Sequence, residues 1–137
     1  MARGDLIEVL GGVALFSRCT RRDLKTIARH AETVTVAEGT SFITEGDPGD
    51  AFYVILAGAA TVSRDGKELN RVTTGAYFGE LALLDDEPRS ATVVASTTTS
   101  VAVLGVRMFR TLLREYPDLS QQLLAGLAGE LRRARVS

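Results

Sequence analysis

The sequence predicts an α+β chain: a β-roll of jelly-roll type, made of about eight short antiparallel strands, with helices before and after it. Three observations carry this. From Ala31 to Val106, β-branched and aromatic runs alternate with glycines at 39, 46, 49, 58, 66, 75 and 79, the rhythm of short strands and tight turns. On either side of that stretch, apolar residues recur at steps of three and four, the period of a helix. The chain has 137 residues, enough to bury one core well and two poorly. Residues 1–137 therefore read as a single domain, with N-terminal helices over 1–30, the roll over 31–105 and two helices over 106–137.

Sixteen basic residues against seventeen acidic ones leave a net charge of −1. The molecule as a whole has no electrostatic pull toward nucleic acid or an anionic membrane, so a polyanionic partner must be met by a local patch. Cys19 is the one cysteine, which excludes an internal disulfide and fits a reducing, cytoplasmic setting. His30 is the one histidine, so a His-based triad or a cupin-type metal site lacks its parts. Hydrolase chemistry is therefore not expected, and Cys19 and His30 read as packing or surface residues. Asp5 and Glu8 interrupt what would otherwise pass for a signal-peptide core, and the apolar run 51–60 is too short to cross a bilayer. No membrane anchor is expected.

Leu6, Leu10, Val13 and Ala14 stand at helical spacing, with Gly11-Gly12 placed to end that helix early. Thr20 caps a second helix over 21–30, whose Leu24, Ile27 and Ala28 form an apolar stripe. Strands follow at Thr33–Val36, Ser41–Thr44, Phe52–Leu56, Ala60–Ser63 and Glu68–Val72. Arg64-Asp65-Gly66-Lys67 supplies a hairpin turn between the last two. After an interruption, strands resume at Ser90–Ala95 and Ser100–Leu104. Phe109, Leu112, Leu113 and Tyr116 then return to the helical period, and Pro117-Asp118 opens a final helix running to about Arg135. In that helix Leu124, Leu127, Leu131 and Ala134 form a stripe that serves either packing on the roll or a homodimer. Arg132, Arg133 and Arg135 complement its C-terminal dipole, and without aromatic neighbours they make a poor nucleic-acid footprint.

The chemistry lies in the interruption, residues 77–93, which reads as a short helix inserted between two strands. The first turn of such a helix presents unpaired N–H groups to an anion, and Gly79 lets a ligand approach the backbone closely. Arg89 precedes an apolar strand, where an unpaired guanidinium is costly. A phosphate answers both needs, taking the Arg89 fork together with the Leu81 and Ala82 amides. Glu80 at the same site then suits a sugar hydroxyl. The competing reading makes Glu80 a helix N-terminal acid and pairs Arg89 with Asp85, Asp86 or Glu87 on the surface.

Gly79-Glu80-Leu81-Ala82-Leu83-Leu84 followed by Pro88-Arg89-Ser90-Ala91-Thr92-Val93 resembles the phosphate-binding cassette of cyclic nucleotide-binding domains. These are the domains of catabolite activator proteins, cyclic-nucleotide-dependent kinases and cyclic-nucleotide-gated channels. The resemblance extends upstream through Gly39, Ile43, Glu45-Gly46-Asp47, Gly49-Asp50, Phe52-Tyr53-Val54-Ile55 and Gly58, and so over most of the chain. It implies that Glu80 and the Gly79 backbone hold the ribose 2′-hydroxyl. Arg89 and the Ala82 amide would hold the cyclic phosphate, and Ser90 would add a hydroxyl contact. Val72 and Leu69 would cover the sugar and base. Glu130 and Leu131 join the candidate ligand-binding positions, because the family reaches the base from its last helix. Ala134 falls near the place of a hydroxyl residue in the transcription-factor branch, so both cAMP and cGMP stay open, with cAMP the first choice.

The function so implied is sensing, with no cofactor beyond the nucleotide ligand. The C-terminal helices would move as a lid, Leu83 and Leu84 packing against Phe109 or Leu112. The output would be a protein partner or an effector domain, the chain being either a free-standing sensor or a regulatory domain of a longer protein. The alternative is an interaction module that keeps the fold and binds no nucleotide; the intact Glu80 and Arg89 speak against it.

Overall fold

A computed structural model describes residues 3–136, with side chains for residues 5–134. Met1, Ala2 and Ser137, which the sequence reading includes in the domain, lie outside the described residues, as does the side chain of Arg135. The chain opens with α1 (Arg3–Gly11), a 3-10 turn (Ala14–Phe16) and α2 (Arg21–Arg29). Gly11 ends α1 as expected. Thr20 and Asp23 form a full capping box, the Asp23 N–H donating to Thr20 Oγ1 at 3.1 Å and the Thr20 N–H to Asp23 Oδ2 at 3.0 Å. Two orphan donors of the helix start are satisfied in this way.

Eight strands follow: β1 (Glu32–Val36), β2 (Ser41–Ile43), β3 (Ala51–Ala57), β4 (Ala59–Arg64), β5 (Lys67–Thr73), β6 (Tyr77–Phe78), β7 (Thr92–Ala95) and β8 (Thr99–Gly105). They make two four-stranded antiparallel sheets, ordered β1-β8-β3-β6 and β2-β7-β4-β5. The expected roll is present, with two adjustments. Tyr77 and Phe78 are a strand, paired with Val54 and Tyr53, and not part of the inserted helix. The strand expected from Ser90 begins only at Thr92, because Arg89 and Ser90 are held by side interactions described below. The β4–β5 turn places Asp65 at φ 52° and Gly66 at φ 77°. Left-handed backbone at both central positions is what a two-residue hairpin turn twisted to match its strands requires.

The chain closes with α3 (Val106–Glu115) and α4 (Pro117–Val136). Two apolar clusters organise the interior. Ile55, Ala60, Phe78, Val93 and Val101 fill the space between the sheets. A larger cluster gathers α1, α2, the 3-10 turn, one face of β3 and β8, and the helices α3 and α4. Phe16 stands at its centre, 5.9 Å from the Phe52 ring and 6.3 Å from that of Phe109. The first and last helices of the chain therefore share one core.

The packed face of α4 matches the expected stripe only in part. Leu127 packs against the larger cluster beside the buried Leu119 and Leu123, whereas Leu124 and Leu131 are 62% and 66% exposed. Gly126 explains the choice: a Cβ there would stand 2.6 Å from the Leu15 carbonyl oxygen, so the helix lies on the 3-10 turn along its glycine side. Among the described residues no helix is long and apolar enough to cross a membrane.

Candidate functional site

A cavity of about 490 Å³ opens beside the segment that follows β6, within the range of small-molecule sites. Its floor is apolar: Ile43 of β2, Val62 of β4, Phe78 of β6 and Val93 of β7. Val62 and Val93 are direct cross-strand partners, so strand pairing places them side by side. The rest of the lining is the cassette itself, from Tyr77 to Ala82 and from Glu87 to Ala91, with Asp85.

The inserted element is shorter than a helix. Glu80–Leu83 form one 3-10 turn, in which the Ala82 N–H donates to the Gly79 carbonyl at 3.2 Å. The Leu81 N–H has no partner among the described residues. Four residues add almost no macrodipole, so attraction for an anion rests on individual N–H groups and on Arg89. Gly79 adopts φ 81°, and a Cβ there would meet Arg89 Nη1 at 2.8 Å and the Ala51 oxygen at 3.0 Å. Glycine is required at this position both by its conformation and by the guanidinium beside it.

Arg89 is 8% exposed. Its backbone is clamped by the loop before β3, with the Arg89 N–H donating to the Asp47 oxygen at 2.8 Å and the Gly46 N–H donating to the Arg89 oxygen at 2.9 Å. Its Nη2 donates to the Ala51 carbonyl at 2.7 Å and its Nη1 to the Gly79 carbonyl at 3.4 Å. Nε is buried without a partner. The one carboxylate within 4.0 Å among the described residues is Asp50, at 3.5 Å and itself 82% exposed. The surface pairing with Asp85, Asp86 or Glu87 does not occur. Asp86 pairs instead with Arg110 of α3 at 3.2 Å, and Asp85 accepts from the Glu87 N–H at 3.2 Å. A guanidinium withdrawn from water, held mainly by carbonyls and facing a cavity, is an unfinished anion site.

The structure thus brings Gly79, Glu80, Leu81, Ala82, Arg89 and Ser90 to one cavity. It leaves four candidates outside the lining. Leu69 on β5 is 52% exposed, and Val72 packs against the cluster between the sheets. Glu130 pairs with Arg133 one turn along α4, and Leu131 faces outward, because α4 lies on the N-terminal turn. Of the floor residues, Ile43, Phe78 and Val93 lie within the segments singled out in the sequence but without an assigned ligand contact, and Val62 is not singled out; strand alternation marks Val62 and Val93 as inward-facing but not as facing this cavity. Of the two expected lid contacts, Leu83 shares the larger core with Phe109 and Leu112, while Leu84 is 39% exposed.

Burial shifts one group beside the site and one at the N-terminal helices. Burial, with Asp50 adding and Arg89 opposing, holds the Tyr53 phenol above its ordinary range; its hydroxyl donates to the Phe42 carbonyl at 3.2 Å. Burial, and then Asp23, pushes the Cys19 thiol up to about 12. His30 Nδ1 lies 2.8 Å from the Thr26 carbonyl, as a packing residue.

Comparison with known proteins bears on this geometry. The family model described as cyclic nucleotide-binding domain matches residues 33–116. A cAMP-dependent protein kinase regulatory subunit of Aspergillus niger is 40% identical over 112 residues, covering 80% of this chain and 27% of the relative. The crystal structure of the N-terminal domain of a transcriptional regulator from Streptomyces coelicolor A3(2) has a TM-score of 0.84 at 32% identity, over 94% of this chain and 96% of that one. The cAMP-bound structure of PfPKA-R has a TM-score of 0.68 at 29% identity, over 90% of this chain and 46% of that one. The chain spans about a quarter of the length of the curated relatives it matches.

Proposed function

The chain belongs to the cyclic nucleotide-binding domain family, and from that membership we propose that it is a sensor that binds cAMP and answers by repositioning its C-terminal helices. The observation that carries the proposal is Arg89: a buried guanidinium on a cavity wall, with Nε unpartnered and only an exposed carboxylate near it. The cyclic phosphate completes its hydrogen bonds, with the Leu81 N–H as a second donor. Glu80 takes the ribose 2′-hydroxyl, Ser90 adds a hydroxyl at the phosphate, and the apolar floor receives the sugar and base. The relatives named for cAMP support that nucleotide as the first choice.

Function here is binding, not catalysis. A ligand regulates only by favouring one arrangement of the domain over another. The route available is short. Leu83 of the cassette turn lies in the same core as Phe109 and Leu112 of α3, and Asp86 pairs with Arg110. A phosphate that draws in the cassette therefore pulls on α3, and α3 carries α4. The output is a changed affinity for a protein partner or an attached effector, in the reducing setting that a lone, unreactive cysteine suits.

Calorimetric titration of nucleotide-stripped protein with cAMP and cGMP tests the proposal. Saturable binding at micromolar or tighter affinity is expected, with Arg89→Ala costing about 2–5 kcal/mol, or roughly thirtyfold to several thousandfold. A folded, empty protein that binds neither nucleotide would remove the sensor reading and leave an interaction module.

A further inference from the structure

Away from the cavity, the surface of α2 carries a charge pattern that the fold does not explain. Arg18, Arg21, Arg22, Lys25 and Arg29 are all exposed. None has a carboxylate within 4.0 Å among the described residues. The single acid of the segment, Asp23, is committed to the capping box at Thr20. Residues 18–29 thus hold five cations and one acid, a net +4 on a chain whose total is −1. At about 100° per residue, Arg21, Lys25, Arg29 and Arg22 fall within an arc of about 100°, with the buried Ile27 on the far side of the helix and the buried Leu24 and Ala28 flanking the arc.

Two physical terms oppose this arrangement in the isolated domain. Arg21 and Arg22 occupy the first turn of α2, where the helix dipole favours acids. Arg21, Lys25 and Arg29 stand at i, i+4 and i+8, so like charges face one another along the helix. Arg29, in the last turn, suits the dipole, but Arg21, Arg22 and Lys25 have no such offset, and a local choice that works against the fold is the mark of a functional surface.

We propose that this face of α2 is a docking surface for an acidic segment of a partner protein. The chemistry of the patch selects that occupant. Residues 18–29 contain no aromatic side chain on which bases could stack. None of the exposed large apolar residues lies in the segment, so it has nothing to bury in a bilayer. What remains is a row of exposed cations about two turns long, matched by a short run of Asp and Glu. The surface does not rest on nucleotide binding, although Leu24, Ile27 and Ala28 on its inner side belong to the core shared with α3 and α4.

The test uses the full chain and a fluorescent twelve-residue Asp/Glu peptide, read by anisotropy at low salt. Two double variants carry the same change in net charge: Arg21→Glu with Lys25→Glu on α2, and Lys67→Glu with Arg71→Glu on β5. The expected result is at least a tenfold loss of peptide affinity for the α2 pair and less than twofold for the β5 pair. The α2 pair should melt no lower than the wild type, since an acid at position 21 suits the first turn and one at position 25 stands four residues before Arg29, so misfolding does not confound the result. Equal losses from both pairs would reduce the effect to overall charge and overturn the proposal. Absence of peptide binding by the wild type would overturn it as well. So would tighter, α2-dependent binding of duplex DNA or of phosphatidylserine vesicles, in favour of that polyanion.

Discussion

Arg89 Nη2 stands 3.5 Å from Asp50 Oδ1, and the pair is lopsided: the guanidinium is buried while the carboxylate is almost wholly in water. Such a carboxylate is well screened, so it neutralises little of the charge beside it. The orientation of Arg89 rests instead on the carbonyls of Ala51 and Gly79. Asp50→Asn should therefore change cAMP affinity by less than about fivefold, whereas Arg89→Ala costs roughly thirtyfold or more. Calorimetry on both variants decides this. A loss from Asp50→Asn as large as that from Arg89→Ala would make Asp50 the residue that aims the guanidinium.

Gly79→Ala adds a methyl group 2.8 Å from Arg89 Nη1 at a residue with φ 81°. The strained backbone should cost about 1–3 kcal/mol of stability. The displaced guanidinium should weaken nucleotide binding beyond what the lost stability explains. Urea denaturation and titration of the same variant separate the two effects. An alanine variant with wild-type affinity would mean that Arg89 does not need its present position.

Arg64 Nε donates to the Ser90 carbonyl at 2.8 Å, tying the tip of the β4–β5 hairpin to the residue after Arg89. Glu45 braces the same tip by accepting from the Asp65 N–H at 2.9 Å. Loss of one charge-assisted bond at an exposed site is worth about 1 kcal/mol. Arg64→Ala should thus lower stability by about 1 kcal/mol and weaken cAMP binding by loosening the residue after Arg89, with Arg64→Lys restoring part of both losses. A fall in stability without a fall in affinity would make the contact a structural tie alone.

The Cys19 thiol ionises near 12 instead of its ordinary 9.0. Folded protein keeps the proton that unfolded chain gives up, so the stabilisation is fully present below pH 9 and declines as pH rises from there toward 12. Denaturation midpoints across that window should fall for the wild type and fall less for Cys19→Ala. The same shift leaves almost no thiolate at neutral pH. Iodoacetamide should label Cys19 slowly in native protein and quickly in urea.

Local signals were legible where a few neighbouring residues decide the outcome. Thr20 with Asp23 announces a capping box, Asp65-Gly66 a hairpin turn, and Gly79-Glu80 with Arg89 an anion site. Tyr77-Phe78 was not legible as a strand, because two residues have no period and their pairing with Val54 and Tyr53 is tertiary. The cavity floor was hidden for a related reason. Alternation says that Val62 and Val93 point inward, but only the packing of one sheet on the other says that they line a cavity as well as the core, while Val72 packs on the core without lining the cavity. The face that α4 packs was only partly legible in its stripe of leucines, because it is set by Gly126, whose value lies in having no side chain.

That glycine sets how α4 is able to move. The helix sits so near the Leu15 carbonyl that no methyl group fits between them. A slide by one residue in either direction would bring Ala125 or Leu127 onto that spot, and neither is accommodated. The contact acts as a register lock, closed in one position or fully released. If the helix moves when a nucleotide arrives, it must lift off as a unit, which favours a stepwise answer over a graded one.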